Sequence, residues 1–545
     1  MVLLILAGVT IVTLTGDNGI LTRATSSKIE TAVGAVKEAL KLEQGEKRIN
    51  GEELTPETLL AEGKVQRTVQ QGEDGNYYMY YALKDKSYEG MEGLGKGNIV
   101  ELKDVFLIDD NLNVKYIANN GKEYGDIINN KILEDETEIR FASKAFSEYV
   151  SKISGVTEEE MKFKWMKNQT SLTIDDSSIT SLEDLVFFPN LKELALTSLV
   201  LDNLNGIENC IKMEKFSSNS SEIRDFNKLS NLINLKKFYN WGNNDPENII
   251  SSLKNLENLE DVSIRYTTLS SMKLLEKLKT NKLKSLTLDY NQINRIEGLE
   301  KFTELEALTL SNNPISTIEG LENLKKLQTL DFSGTSIKDI TPLASNSELN
   351  FIDLTKNQEI ETDKSKYTES QREKLEKLSK ILDNNGTIYL DLNKLSLFDN
   401  YKKLNLQREE MENLRPLEGM TELEELILSY NNITLEDEES RNILKSMTKL
   451  KTLRLDNNKI SNITAINELK DLKYLFLQNN SSLQLKQIED IISNLVELRI
   501  SDDTLSTIVY CNPSKIKKAR IVACELSKLP DMSVLTNLET LSLSR

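Results

Sequence analysis

The sequence predicts an α/β solenoid, in which short parallel strands alternate with tight returns. Three observations carry that prediction. From Leu283 to Leu349 one 22-residue pattern recurs three times without a gap, as LKSLTLDYNQINRIEGLEKFTE, LEALTLSNNPISTIEGLENLKK and LQTLDFSGTSIKDITPLASNSE. Counted from the first Leu, apolar side chains fall at offsets 0, 3, 5, 10, 13, 16 and 19, and Asn291 and Asn313 stand at offset 8. The chain has 545 residues, long for one compact core, and a quasi-linear array is a natural use of that length.

Each offset has a physical reading. Offsets 3 and 5 put two side chains on one face of a strand, because successive strand residues point to opposite faces. The later apolar positions, three apart, suit a 3₁₀-like or loop return. Asn at offset 8 sits where the strand turns, and its amide can bond the backbone groups left unpaired there. One unit cannot bury its own leucines, so units must stack. This is the leucine-rich repeat pattern, and the expected fold is a leucine-rich repeat horseshoe with a parallel concave sheet.

Composition narrows the function classes. The formal net charge is −18, so nucleic acid is not an expected partner, since phosphate binding wants a basic surface. Histidine is absent, which removes the commonest general base, the imidazole triads and the usual zinc ligands. Cys210, Cys511 and Cys524 fall at repeat offsets 19, 16 and 8 and read as small buried fillers rather than a disulfide framework. No enzyme, metal or cofactor is expected. Acid pairs such as Asp175 and Asp176 are adjacent, solvated carboxylates with no cleft implied.

The N-terminal part reads differently. Val2 to Leu14 is nearly all apolar, yet spanning a bilayer takes about 20 residues. An amphipathic helix follows, with Ile29, Val33, Val36 and Leu40 on one face and Gly45 just past its end. The stretch LILAGVTIVTLTGDNGILTRA resembles the stem of Gram-positive type IV pilins and pseudopilins. That resemblance implies a membrane-attached N-terminal stem, residues 1–45, and a small α+β pilin-like domain, 46–140. Within it Thr55-Pro56-Glu57 starts a helix that Gly63 stops. Strands are expected at Val65–Gln70, Tyr77–Leu83, Ile99–Ile108 and Leu112–Ala118, with turns at Asp109-Asp110-Asn111 and Asn119-Asn120-Gly121. The tyrosines of NYYMYYAL read as core and cross-strand pairs. Residues 141–168 read as a helical connector or N-terminal cap.

Repeats fill 169–545, about fifteen units in all. The motif NxIxxIxxLxxLxxLxxLxL resembles the internalin-type repeats of Gram-positive surface proteins, which implies the horseshoe and a recognition role. Three units lengthen. Asp245-Pro246 begins a short helix, Glu436–Met447 reads as a convex helix, and a helical insertion at about 358–400 starts at a Thr368/Gln371 capping box. The last unit stops at LETLSLSR, so the C-terminal cap is expected to be missing, just as the apolar run expects a longer N-terminus.

The outward strand positions are offsets 2, 4, 6 and 7, and most carry Ser, Thr, Asp, Asn or Lys. Lys237, Tyr239, Trp241, Asp261, Arg265, Tyr266, Asp289 and Tyr290 depart from that, with Tyr266 and Tyr290 at the same offset of successive units. A second group is Tyr430, Arg454, Tyr474 and Phe476. Exposed rings among charges have the composition of binding hot spots. The expected function is a cell-surface binding protein, adhesin- or internalin-like, held by its stem and recognising a protein or glycan. Two alternatives stand beside it: a structural pseudopilin-like subunit, and a soluble cytoplasmic leucine-rich repeat regulator.

Overall fold

The computed structural model describes residues 20–84, 87–88, 91, 94, 98–99, 101–242, 245–385, 387–389, 391–398, 401–480, 483–501, 516–522, 533 and 535–544. The apolar run 2–14, Cys511 and Cys524 lie outside the described residues. Among the described residues no helix is long and apolar enough to cross a membrane. The chain divides into two compact units, residues 1–269 with 274–283, and 270–273 with 284–545.

The first unit begins with helix α1 (Ile20–Ile49), which buries Ile29, Val33, Val36 and Leu40. It does not stop at Gly45. A mid-helix glycine costs only about 1 kcal/mol, and the helix ends instead at Ile49, with Gly51 beyond it at φ +76°. There Lys47 pairs with Glu52 at 2.8 Å and Glu62 at 2.7 Å. Helix α2 (Pro56–Ala61) has the expected Thr55 cap, which exchanges hydrogen bonds with Thr58, and Gly63 follows it in the left-handed region at φ +73°.

Six strands form an antiparallel sheet: β1 (Val65–Gln71), β2 (Tyr77–Leu83), β3 (Val105–Ile108), β4 (Val114–Ile117), β5 (Glu123–Gly125) and β6 (Lys131–Leu133). The order is β1-β2-β3-β4-β5, with β6 also on β2. Helix α1 lies on β4 and β5. Gly125 permits that approach, since at its φ of +97° a Cβ would sit 2.4 Å from the Val114 carbonyl oxygen and 3.0 Å from Val33 Cγ1. Tyr77 and Tyr81 are buried, and Tyr80 faces Thr68 across the β1–β2 pair.

Two expected strands are shorter than the sequence suggests. Ile99 does not extend β3, because Asn98 and Lys103 close a small loop and Leu102 and Asp104 take left-handed φ values. Its side chain still joins Ala82, Val105, Leu107 and Ile128 in the core. Leu112 also has a left-handed φ, inside a turn held by Asp109, which accepts from the amides of Asn111 and Asn113 at 3.0 Å each.

Helix α3 (Lys144–Ser154), capped by Ser143 and ended by Gly155, and helix α4 (Phe163–Lys167) lead into the repeats. Their rings pack on the first repeat, with Phe146 6.1 Å from Phe188 and Trp165 6.3 Å from Phe188. Five parallel strands follow in sequence order: β7 (Ser171–Ile174), β8 (Glu193–Thr197), β9 (Lys215–Asn219), β10 (Lys237–Trp241) and β11 (Asp261–Arg265). Their offset-3 residues, Leu172, Leu194, Phe216, Phe238 and Val262, line up in one buried row. Between β10 and β11, helix α5 (Pro246–Leu253) starts at an Asp245 cap. Cys210 is a buried filler, and burial pushes its thiol pKa up.

In the second unit the same plan continues through β12 (Ser285–Thr287), β13 (Ala307–Thr309), β14 (Thr329–Asp331), β15 (Phe351–Asp353) and β16 (Thr387–Tyr389). The stretch expected as an insertion therefore returns a strand to the sheet, with Ile388 beside Ile352. Its helix α6 (Glu369–Asn385) follows the Thr368/Gln371 box and packs against the 3₁₀ turn Thr341–Ser345, opposite the strands. A second parallel run holds β17 (Lys403–Asn405), β18 (Glu425–Ile427), β19 (Thr452–Arg454), β20 (Tyr474–Phe476), β21 (Glu497–Ser501), β22 (Lys518–Val522) and β23 (Thr540–Ser544). Helix α7 (Glu438–Ser446) fills the long return after β18. The offset-8 asparagines act as expected: Asn313 donates to the carbonyls of Leu288 at 2.9 Å and Leu310 at 3.0 Å, and accepts from the Ile293 amide at 3.0 Å.

Candidate binding surface

The strand exit at offset 7 has a left-handed backbone in eleven of the repeats, Gly242 (φ 159°) and Asp176 being exceptions. Ser198, Ser220, Tyr266, Tyr290, Asn312, Gly334, Lys356, Arg408, Tyr430, Asn457 and Asn479 all have φ between 51° and 66°. Glycine and asparagine enter this region easily, while a bulky side chain pays about 1 kcal/mol or more. Tyrosine nonetheless occupies it at 266, 290 and 430, and each of those rings is exposed.

Within the first unit, six of the eight residues expected in the main patch come together. The parallel register sets Tyr239 beside Ser263 and Trp241 beside Arg265. The indole of Trp241 and the phenol of Tyr266 stack with centroids 5.6 Å apart and planes 29° from parallel. The Arg265 guanidinium lies 5.9 Å from each ring centroid. Tyr239 donates its hydroxyl to Asp261 at 2.5 Å, and burial and that carboxylate raise the phenol pKa. Lys237 is exposed beside Asp261 in the register. Trp241 keeps 48% of its surface in water and Tyr266 37%. Asp289 and Tyr290 belong to the second unit, where Asp289 is buried and accepts from the Ser311 amide at 3.1 Å, and Tyr290 is exposed. Asp289 thus holds the sheet rather than rimming a patch.

Among the described residues, those of 54–168 contact the start of the repeats. That domain meets the first repeats through Arg67, which donates to buried Asp184 at 2.7 Å, Thr68 to Asn209 at 2.8 Å, and Lys84 to Glu183 at 3.0 Å. Asp184 also accepts from the amides of Ala142 and Ser143 at 2.8 Å each. A cleft of about 720 Å³ opens beside this joint, lined by Glu57, Arg67, Tyr81, Arg140 and Phe187. Of the groups named, Arg67 pairs with Asp184 and the Arg140 carbonyl, and Tyr81 with Glu57.

The second predicted group lies on the strand face of the second unit. Arg454 and Phe476 are register partners, Tyr474 is exposed two residues before Phe476, and Tyr430 is exposed at its strand exit. Two residues that the sequence reading passed over join them. Arg408 lies over the Tyr430 ring at 5.1 Å, and Arg499 over the Phe476 ring at 4.4 Å. Their offsets, 7 and 4, are outward positions, so a search for charge as well as rings at those offsets would have found both.

Residues 281–323 match the family model for leucine-rich repeats in two copies. The chain is similar to solved structures of an internalin from Listeria monocytogenes (19% identity, 74% of this chain and 95% of that one, TM-score 0.35). The functional domain of InlJ from Listeria monocytogenes matches at 16% identity over 70% of this chain and 80% of that one, TM-score 0.35. A leucine-rich repeat protein of Leptospira interrogans matches at 21% identity over 64% and 81%, TM-score 0.36. The repeats at residues 281–323 are leucine-rich repeats.

Proposed function

We propose that this is a binding protein, not an enzyme, displayed outside the cell membrane by its N-terminal stem, whose strand face recognises a protein or glycan. The observation that carries the reading is the Trp241–Tyr266 stack: two rings left in water, off the leucine positions, one of them in a backbone conformation that disfavours it. Such rings carry apolar area that association can bury, and Lys237, Asp261 and Arg265 around them would set orientation and encounter rate. The likeness of the apolar N-terminal stretch to pilin stems supports the attachment.

Two measurements test it. Protease added to intact cells should remove the repeats; repeats that survive until lysis would favour a cytoplasmic regulator. Purified chain should bind a glycan array or intact target cells, and Trp241→Ala or Tyr266→Ala should weaken that binding about 30-fold, equivalent to about 2 kcal/mol. A lowered melting temperature with unchanged binding would make the rings structural.

A further inference from the structure

On the strand face of the second unit, one row of side chains alternates cation and ring. The register sets Arg454 beside Phe476 and Phe476 beside Arg499. With strands about 4.8 Å apart, the two arginine backbones stand about 10 Å from each other across the phenylalanine. Their guanidinium carbons lie 5.1 Å and 4.4 Å from the Phe476 centroid, so the ring is sandwiched and only 7% exposed. Tyr430 and Tyr474 border the row and are exposed.

The nearby acids separate the two arginines. Arg499 is satisfied by Glu497, with Nε at 2.8 Å and Nη2 at 2.7 Å. Among the described residues Arg454 has only Asp456, 3.6 Å from its Nε, which is too long for a hydrogen bond. Asp456 spends its oxygens on Ser429 at 2.7 Å and Asn457 at 3.0 Å. The buried Nε of Arg454 finds no acceptor among the described residues, yet its side chain is 36% exposed. A guanidinium held over a ring, with donors still to place, is half of a carboxylate fork.

We propose that Arg454 receives a carboxylate side chain of a protein partner, with Tyr430 and Tyr474 packing on aromatic or aliphatic residues beside that acid. A polyanion is the poorer fit. The chain carries a net charge of −18, and Asp456, Glu497 and the outward Glu425 stand on or beside the row. A single carboxylate feels mainly the charges within about 8 Å, the screening length at physiological salt. The proposal rests on the strand face being the binding face, but it uses residues in a different unit from Trp241 and Tyr266.

The test is a random peptide library panned on the full-length chain and, in parallel, on Arg454→Ala. The native chain should enrich peptides with Asp or Glu beside Phe, Tyr, Leu or Ile, and Arg454→Ala should not. In a selected peptide, acid-to-amide substitution should weaken binding about tenfold on the native chain and leave it unchanged on Arg454→Ala. Arg454→Lys, which keeps the charge without the fork, should recover only part of the loss. Trp241→Ala should bind the same peptides as the native chain, so failure of the first patch would not be mistaken for failure here. Enrichment without an acid, no enrichment at all, or equal binding by Arg454→Ala overturns the proposal. So does binding by a sulfated glycan in preference to the peptides.

Discussion

Trp241 and Tyr266 stack although they occupy different offsets of successive repeats: the register pairs Trp241 with Arg265, and the ring that covers the indole belongs to the next residue along. The left-handed backbone at Tyr266, φ 57°, turns the chain there and carries its ring back toward Trp241. Replacing Tyr266 by Asn removes a stack worth about 1 kcal/mol and relieves a backbone cost of similar size. The variant should therefore melt within a few degrees of the native chain while losing binding. A drop of many degrees in a thermal melt would contradict this.

Arg67→Ala should loosen the joint between the sheet domain and the first repeat. It leaves Asp184 buried and without its cation, a loss of about 3 kcal/mol for such a pair. The Phe187 ring, 4.7 Å from the guanidinium carbon, loses its cover as well. Hydrogen exchange at the amides of Ala142 and Ser143, both bonded to Asp184, should speed up markedly. Unchanged exchange would show that the joint does not depend on the Arg67–Asp184 pair.

Two glycine substitutions should differ in cost. At Gly206, φ +105°, an added Cβ would lie 2.1 Å from the Leu182 carbonyl oxygen, a backbone atom of the preceding repeat. At Gly334, φ +66°, it would meet the Asn312 side-chain oxygen at 2.8 Å, which can swing aside. Gly206→Ala should cost about 3 kcal/mol or more and Gly334→Ala about 1 kcal/mol. Urea unfolding of the two variants ranks them, and an equal cost would mean that the Gly206 turn yields easily.

Acid should weaken the end of helix α1. Hydrogen bonds from Lys47 and then Lys64 hold the Glu62 carboxyl below its ordinary value of 4.5. A carboxylate with a depressed folded pKa binds fewer protons folded than unfolded, so its contribution is present above the ordinary carboxylate range and lost as pH falls through the folded pKa. Protection of the amides around Glu52 and Lys64 against exchange, relative to the intrinsic rate at each pH, should thus fall as pH falls below that ordinary value. Glu62→Gln should abolish the pH step, and a step that persists in Glu62→Gln would show that Glu62 is not its source.

Some of this was written in the chain itself. The rows of Leu and Ile, the turn asparagines and the caps at Thr55, Asp245 and Thr368 are local or periodic, and a repeat confines most contacts to neighbours about 22 residues away, so spacing alone places them. The outward rings at 241, 266 and 430 were legible for the same reason. What spacing could not show is set by partners distant in sequence or by backbone handedness. Gly45 reads as a helix end, and only the ion pairs of Lys47 with Glu52 and Glu62 show the helix continuing past it. Ile99 reads as strand, and only the Asn98–Lys103 loop shows why it is core without being strand. The pairing of Arg67 with Asp184, 117 positions apart, and the unequal satisfaction of Arg454 and Arg499 were decided by tertiary structure. An arginine's hydrogen bonds depend on which carboxylates the fold brings within about 3 Å, and no offset along the chain encodes that distance.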